Sequence, residues 1–440
     1  MAENIESLAS LVYQQARNVE STFARHRARQ FYTQHFATLA KFPQRAANEI
    51  RRTIPKRLAE AKSGGASEAT IARTLKRYGQ VLEFVHQSLD FVTNTDVRSI
   101  PSPYVLLLEE LGSGFGKPSF VLQGSPLFTY SFVPIALNRP LKEAGLKSRL
   151  PDGFAAFRFP AALNEDGLQH AVLSHELGHY VDTEETLPAW VWASATSATR
   201  DRVEHILRTL IGTVPAGVGT DSLRRLSLMY ASWISETICD VFAARLLGPA
   251  YLFSFIEHLG FSSDMDIGGE SHPPPSMRLW VISEELRSTG WSALVKPHHK
   301  SAAPNKPTQK MVKGVPGGGA FFLVLQRCLL EALPAIRRVV RARVGDRCFR
   351  RTAHAPYENV VRDLLRHRVP PGEMHADGTV IAVPARSVIN GAWFFHLAGY
   401  ESWPSVSTKQ LPSEYEKRQL LSRLTFKGLE ISYIRKRWEE

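Results

Sequence analysis

The sequence predicts an α+β protein that is mainly helical and contains one small sheet. Near the N-terminus, apolar residues such as Leu8, Leu11, Val12 and Ala16 recur at three- and four-residue spacing. That spacing is the period of an amphipathic helix. Between residues 119 and 159 the pattern changes to short runs of aromatic and β-branched residues, which favour strands. Helical periodicity returns after residue 166, so the sheet is expected to be a minor part of the fold.

The predicted elements follow in chain order. Residues 5 to about 93 are expected to be helical, with a break at the serine and glycines of 63–65. Strands are expected within 119–133 and over 154–159, where Pro160 ends the second strand. Further helices are predicted over 166–181, 201–211, 221–247, 276–287 and 320–343, and the pair Gly248-Pro249 ends the third of these.

The chain is expected to divide into four segments. Residues 1–100 form a helical N-terminal region, and 101–295 form the domain that carries the chemistry. Residues 296–319 contain five lysines, four prolines and no acidic residue, which is typical of a linker. His298 and His299 are expected to be solvent-exposed there. Residues 320–440 form a C-terminal region of unknown role.

Composition limits the class of protein. The hydrophobic fraction of 44% and the charged fraction of 22% are those of a folded globular chain. The net charge of +12 leaves two interpretations open. It either favours an acidic partner such as nucleic acid or merely keeps the surface soluble. No motif supports nucleic acid, because the basic helix faces lack interleaved aromatic residues. The glycine-rich segment 112–117 lacks the spacing of a phosphate-binding loop and is predicted to be a turn.

The three cysteines, Cys239, Cys328 and Cys348, predict a reducing compartment. Their number is odd and no CxxC pair exists, so a disulfide framework is not expected. The first residues lack the basic and apolar regions of a signal peptide. No uncharged apolar run approaches the roughly 20 residues that span a bilayer. We therefore expect a cytoplasmic protein without a transmembrane segment.

The segment Ser174-His175-Glu176-Leu177-Gly178-His179 predicts a zinc site on a helix. His175 and His179 are four residues apart, so a helix places both imidazoles on one face, where they can chelate a single Zn²⁺. Glu176 lies beside them and can act as the general base for a zinc-activated water. The alternative is a pair of helix histidines with solvent or core roles.

A second helix supplies the third ligand that a catalytic zinc needs. Glu236 and Asp240 are also four residues apart, within an otherwise apolar segment where unpaired carboxylates are unfavourable. Glu236 is expected to bind the metal, and Asp240 to accept a hydrogen bond from a histidine ligand. The alternative is a structural ion pair with an arginine nearby in sequence. The candidates are Arg224, Arg225 and Arg245.

HExxH followed by ExxxD resembles the gluzincin zinc metallopeptidases. The later segment Ser271-His272-Pro273-Pro274-Pro275-Ser276-Met277-Arg278 resembles an element in the soluble core of the CaaX prenyl protease and heat-shock protease group. The resemblance covers about residues 119–290 and implies a zincin-like core with a small sheet and two metal-bearing helices. It departs from the membrane members of the group, because this chain shows no transmembrane segment.

The resemblance also implies roles for residues outside the ligand set. His272 is a candidate for contacting the substrate carbonyl or the oxyanion, although it also fits an incidental position in a helix-entry turn. Tyr180 and Tyr230 are the other candidates for the oxyanion. Arg278 is expected either to pair with a carboxylate of the site or to lie on the surface. The strand at 154–159 is a candidate edge strand for aligning an extended peptide substrate.

The sequence therefore predicts a zinc-dependent metalloendopeptidase that binds one Zn²⁺ through His175, His179 and Glu236 and acts on a protein or peptide. Two alternatives stay open. One is a zinc-containing regulatory module that binds nucleic acid or a protein. The other is a zinc hydrolase that acts on a non-peptide amide.

Overall fold

The computed structural model describes residues 5–24, 34–87, 102–115, 119–127, 129–135, 138–146, 154–213, 220–259, 268–296, 318–400, 403 and 414–439. This part of the chain is mainly helical, with two small sheets, so the predicted α+β class is confirmed. None of the helices searched within it has the length and apolar character needed to cross a membrane.

The chain divides into two compact units. Unit 1 comprises residues 1–105 and 116–164, and unit 2 comprises residues 106–115 and 165–440. The division follows spatial proximity. It does not test the four functional segments expected from the sequence, which stay a prediction.

Unit 1 contains a set of helices in its N-terminal part, which confirms the predicted helical region. They are α1 (Ile5–Ala24), α2 (Gln34–Lys62) and α3 (Glu68–Gln87). All three pack against one another. Helix α1 buries Ala9, Val12, Ala16, Val19 and Phe23, a stripe at helical spacing. The predicted break at 63–65 is the turn between α2 and α3. The expected helical residues 88–93 lie outside the described part.

The sheet of unit 1 has the strand order β1-β3-β2, with β1 (Ser119–Ser125), β2 (Ser131–Ile135) and β3 (Phe154–Pro160). Strand β3 pairs in parallel with β1 and antiparallel with β2. The expectation that 154–159 forms an edge strand is therefore wrong. Both sides of β3 are already paired in the sheet, which leaves no free edge for a peptide. Phe157 of β3 is fully buried and packs against Phe120 and Phe132.

Two more helices precede residue 154 in the chain. Helix α4 (Ser102–Gly112) belongs to unit 1 up to Val105 and to unit 2 from Leu106, and α5 (Asn138–Glu143) belongs to unit 1. Neither was anticipated. Residues 113–115 form a turn after α4, which agrees with the interpretation of the described part of the glycine-rich segment.

The other helices lie in unit 2. They are α6 (Leu173–Glu185), α7 (Leu187–Ser194), α8 (Ser197–Thr213), α9 (Thr220–Leu247), α10 (Pro249–Leu259), α11 (Pro275–Ser288), α12 (Gly318–Val344), α13 (Arg351–Arg366), α14 (Ala385–Leu397) and α15 (Glu414–Glu439). A hairpin, β4 (Glu373–Ala376) and β5 (Thr379–Ala382), lies between α13 and α14. Helix α9 is the centre of the unit and packs against α6, α10, α11 and α12.

Helix α6 begins seven residues later than the predicted start at residue 166. The carboxylate of Asp166 accepts hydrogen bonds from the backbone N–H groups of Leu168 and Gln169, at 3.0 and 3.1 Å. These bonds hold a local turn, and a short 3₁₀ segment (Gln169–Val172) follows before the α-helix. The prediction of a single helix from Asp166 was wrong because an aspartate favours such turns as readily as a helix cap.

Several other boundaries also differ from the predictions. Helix α8 begins at Ser197 rather than at residue 201, and α12 takes in Gly318 and Gly319, which we had placed in the linker. Strand β2 begins at Ser131, later than the aromatic run suggested. Residues 297–317, with His298 and His299, lie outside the described part.

Gly248-Pro249 separates two consecutive helices, because α9 ends at Leu247 and α10 begins at Pro249. Gly248 takes a φ of 84°, which glycine adopts without strain, and Pro249 occupies the first helical position. Asn390 of α14 bridges this break. Its amide oxygen accepts from the N–H of Ala250 at 2.9 Å, and its amide nitrogen donates to the carbonyl of Leu247 at 2.7 Å. The C-terminal region therefore stabilises the junction of two helices of unit 2.

Candidate metal centre

The predicted site forms where helix α6 packs against helix α9. His175, Glu176 and His179 come from α6, and Glu236 and Asp240 come from α9. Gly178 allows this close approach. A Cβ atom at Gly178 would lie 2.9 Å from the Cα of Cys239, a distance that real Cβ atoms essentially never show. The glycine within the HExxH segment therefore has a packing role, since any side chain would separate the two helices.

The two histidines and Glu236 bring one ligand atom each to the same point. Their ligand atoms all lie within 4.8 Å of one another. The Nε2 of His175 is 3.2 Å from one carboxylate oxygen of Glu236, and the Nε2 of His179 is 3.1 Å from the other. Ligand atoms of tetrahedral Zn²⁺ are about 3.3 Å apart when the metal bonds are 2.0–2.1 Å. Two imidazole nitrogens and a carboxylate are a donor set that Zn²⁺ accepts, so these residues fit the ion.

Two groups lie beside the Nδ1 of His175, and Arg278 holds one of them in place. Its Nδ1 lies 3.1 Å from the carboxylate of Asp240 and 3.2 Å from the hydroxyl of Tyr251. Tyr251, on α10, also donates to Asp240 at 2.5 Å. Arg278, at the start of α11, donates to both carboxylate oxygens of Asp240 at 2.8 Å each. A carboxylate held by two other groups fixes both the ring orientation and the tautomer of a histidine ligand.

Negative charge exceeds positive charge in this cluster. The carboxylates of Glu176, Glu236 and Asp240 interact with one guanidinium, that of Arg278, and all three acids are buried. Burial alone would raise the pKa values of Glu236 and Asp240. The opposing effect of Arg278, together with the histidines, holds the first well below its usual range and lowers the second to about 2. The two carboxylates therefore stay ionised and are available to a cation.

The pKa values of His175 and Glu176 are both raised, for different reasons. Burial would lower the pKa of His175, but its hydrogen bonds to Asp240 and Glu236 raise it to about 9. Burial raises the pKa of Glu176, which matches the requirement of a general base that must later hold a proton.

The side chains of the cluster differ in their exposure to solvent. The side chains of His175 and Asp240 are 6% and 1% exposed, whereas those of His179 and His272 are 21% and 54% exposed. His272 approaches Glu236 at 3.3 Å through Nε2, and the Ser271 hydroxyl lies 2.7 Å from its Nδ1. This turn is tied to α9, because Trp233 donates to the carbonyl of Gly269 at 3.1 Å. Among these four side chains, that of His272 is the most exposed.

Not all of the site residues predicted from the sequence lie in this cluster. His175, His179, Glu236, Asp240, His272 and Arg278 contact one another, and Glu176 lies beside them. The hydroxyl of Tyr230 donates instead to the carbonyl of Cys328 on α12, at 3.5 Å. Tyr180 is buried on α6, and its interactions with Glu184 and Glu185 raise its pKa together with burial. These placements do not test the proposed oxyanion roles of the two tyrosines, which stay predictions.

Two residues that contact the site were not anticipated. Tyr251 contacts both His175 and Asp240, and Cys239 contacts His179, with Sγ 3.3 Å from Nδ1. The position of Cys239 between Glu236 and Asp240 was a usable signal, since residues three positions apart share a helix face. Tyr251 carried no such signal, because it comes from another helix.

Compared with family models, with curated proteins and with solved structures, the chain matches none of them. The gluzincin resemblance therefore rests on the motif residues and on the side-chain geometry alone.

Proposed function

We propose that this protein is a zinc-dependent metalloendopeptidase with a zincin-like core. The observation that supports the proposal best is the convergence of His175, His179 and Glu236 from two packed helices, with Asp240 behind His175. Glu176 supplies a buried carboxylate beside the ligands, and a purely structural zinc site has no use for such a group. The open side near His272 provides a route for a peptide.

Each residue has a role in this proposal. His175, His179 and Glu236 hold the ion, and Asp240 with Arg278 and Tyr251 holds His175 in the ligating tautomer. When bound, Zn²⁺ acts as a Lewis acid toward water and toward the scissile carbonyl. Glu176 takes the proton from the attacking water and passes it to the leaving amine. His272 donates a hydrogen bond to the carbonyl oxygen as negative charge develops there.

The test combines metal analysis with Glu176→Gln. We expect purified protein to contain one zinc per chain and to cleave members of a mixed-sequence peptide library, followed by mass spectrometry. Glu176→Gln is expected to keep the zinc and to lose about 10²–10⁴-fold in cleavage rate. Glu184→Gln, an exposed glutamate on the same helix, is the matched control and is expected to cleave normally. Wild-type protein without stoichiometric zinc would refute the proposal, as would full activity in Glu176→Gln.

One observation favours a zinc-containing binding module as the second candidate. The Nε2 of His272 lies 3.3 Å from Glu236, so His272 is placed to close the site as a fourth protein ligand. It is not part of the group whose ligand atoms lie within 4.8 Å of one another, which supports the open site. His272→Ala separates the two functions. A peptidase keeps its zinc and loses about 10²–10³-fold in rate, whereas a closed structural site loses the metal.

The substrate and the location are also proposals. The proposed ligands account for the activation of water but do not select the substrate. A non-peptide amide is therefore the alternative substrate. The three cysteines are free and buried, which supports the proposal of a reducing, cytoplasmic location.

A further inference from the structure

The two histidine ligands differ in what holds the ring nitrogen that faces away from the ligand cluster. The Nδ1 of His175 meets the carboxylate of Asp240 at 3.1 Å. The Nδ1 of His179 meets the thiol of Cys239, with Sγ at 3.3 Å. Both distances are within hydrogen-bonding range, since contacts to sulfur are longer than contacts to oxygen. The outer partner of one ligand is thus an anion, and that of the other is a neutral buried thiol.

The packing of the helices fixes the position of this thiol. Cys239 is fully buried on α9, opposite Gly178 on α6. A Cβ atom built at Gly178 would lie 3.2 Å from the Sγ of Cys239 and 3.0 Å from its Cβ. The thiol therefore occupies the space that the glycine leaves, directly beside the ring of His179.

The chemistry of the two partners differs in one respect. An ionised carboxylate only accepts hydrogen bonds, so Asp240 requires the proton of His175 to be on Nδ1. A thiol both donates and accepts weakly. Cys239 can donate to Nδ1 of His179 when the ring proton is on Nε2, directed at Glu236 3.1 Å away. It can also accept from Nδ1 when Nε2 is left free for a metal ion.

We propose that Cys239 is the positioning residue of His179, and that its thiol changes from donor to acceptor when the site takes up zinc. The inference rests on the proposed zinc site and adds a property of this chain. Asp240 fixes the tautomer of His175 before metal binds, whereas metal binding itself determines the tautomer of His179.

The experiment measures zinc affinity by chelator competition in four proteins: wild type, Cys239→Ala, Cys239→Ser and Cys328→Ala. Cys239→Ala removes the acceptor and is expected to weaken zinc binding about tenfold, at the lower end of the 10–100-fold known for outer partners of histidine ligands. Cys239→Ser keeps a group that donates and accepts, and is expected to stay within about threefold of wild type. Cys328→Ala removes another fully buried thiol, on α12, and is the matched control with unchanged affinity.

A spectroscopic measurement follows the change in the hydrogen bond itself. In ¹⁵N-histidine-labelled wild type, long-range ¹H–¹⁵N spectra are expected to show His179 protonated on Nε2 before zinc addition and on Nδ1 after it. His175 is expected to carry its Nδ1 proton in both states. An unchanged His179 tautomer in wild type would overturn the change from donor to acceptor.

The affinities decide the positioning role. Equal zinc affinity in Cys239→Ala and wild type would overturn it, and so would a loss in Cys239→Ser as large as that in Cys239→Ala. A matching loss in Cys328→Ala would also overturn it, because it would assign the effect to general core packing. These failures differ from failure of the proposed function, in which wild type either lacks stoichiometric zinc or binds zinc and cleaves no peptide.

Discussion

Helices α9 and α11 share two buried clusters of charge with opposite compositions. In the first, Glu236 and Asp240 of α9 meet two histidines and Arg278 of α11. In the second, Glu285 of α11 is fully buried and meets Arg245 of α9 at 2.6 Å. Arg337 and Arg341 of α12 approach the same carboxylate at 3.2 and 3.4 Å. The first cluster has two carboxylates for one guanidinium group, and the second has one carboxylate for three guanidinium groups.

The difference lies in the partners of the two buried carboxylates, Glu236 and Glu285. The partners of Glu285 are permanently charged guanidinium groups, which neutralise it within the protein. The partners of Glu236 include two imidazoles, which can give up a proton and offer a lone pair. Arg245 was one of the arginines that the alternative interpretation paired with Glu236 or Asp240, yet it binds Glu285. We interpret the arginine cluster as a structural ion cluster and the histidine cluster as a place for an ion.

The largest expected effect concerns the arginine cluster. Glu285→Gln leaves three arginines without their common anion, and breaking a buried ion pair costs about 3–5 kcal/mol. We expect about 3 kcal/mol in the free energy of unfolding, measured in urea, because Arg341 is 46% exposed and keeps much of its hydration.

Two controls accompany that measurement. Glu414→Gln breaks an exposed pair with Lys417 and is expected to change the stability by less than about 0.5 kcal/mol. The zinc content of folded Glu285→Gln is expected to equal that of wild type. Loss of zinc in this variant would contradict the separation of the two clusters.

The second prediction concerns pH and the histidine cluster. Without metal, His175 has a pKa raised to about 9, so its Nε2 holds a proton that zinc must displace. Zinc affinity is therefore expected to rise with pH, by about tenfold per unit between pH 6 and 8 for this one proton. Competition titrations at several pH values measure the slope. A flat profile would show that His175 binds no metal through Nε2.

The third prediction compares Asp240, which is buried, with Asp166, which is partly exposed. Asp240→Asn removes the anion behind His175 and is expected to weaken zinc binding about 10–100-fold. Asp166→Asn makes the same change away from the cluster and is the matched control, with unchanged zinc affinity. Because the neutral amide in Asp240→Asn would leave Arg278 with a weaker partner, urea unfolding of both variants separates folding from binding. Equal zinc affinity in the two variants would contradict the role of Asp240.

The smallest effect is expected from Asp166 itself. Burial would raise the pKa of Asp166, but Arg418 and the backbone N–H of Gln169 outweigh burial and lower it below 3.8. Its contribution is therefore complete above the unfolded pKa and is lost as the pH falls through the folded value. Asp166→Asn is expected to cost about 1 kcal/mol at pH 7 and to reduce the loss of stability between pH 5 and 3. Urea midpoints at these pH values test this, and an unchanged acid slope would contradict it.

Prediction from sequence succeeded where a regular period carries the information. The long helices α9, α11 and α12 were predicted to within about two residues, because each has periodic apolar residues and clear ends. It failed at Asp166, where the side chain accepts hydrogen bonds from backbone N–H groups and forms a turn in place of the helix. It also failed to predict the order of the strands. The run 154–159 was predicted as a strand, but its central position in the sheet depends on pairings made by β1 and β2.

The sequence by itself determined which site residues share a helix face. A spacing of four residues puts His175 beside His179, and Glu236 beside Asp240, in any helix. Only the tertiary structure decided which group meets which across the helices: Asp240 with His175, Cys239 with His179, and Arg245 with Glu285. The physical reason is that the partner of a side chain depends on the distance between the packed helices and on how far one helix is shifted along the axis of the other. Local periodicity does not encode either quantity, although Gly178 permits the closest contact.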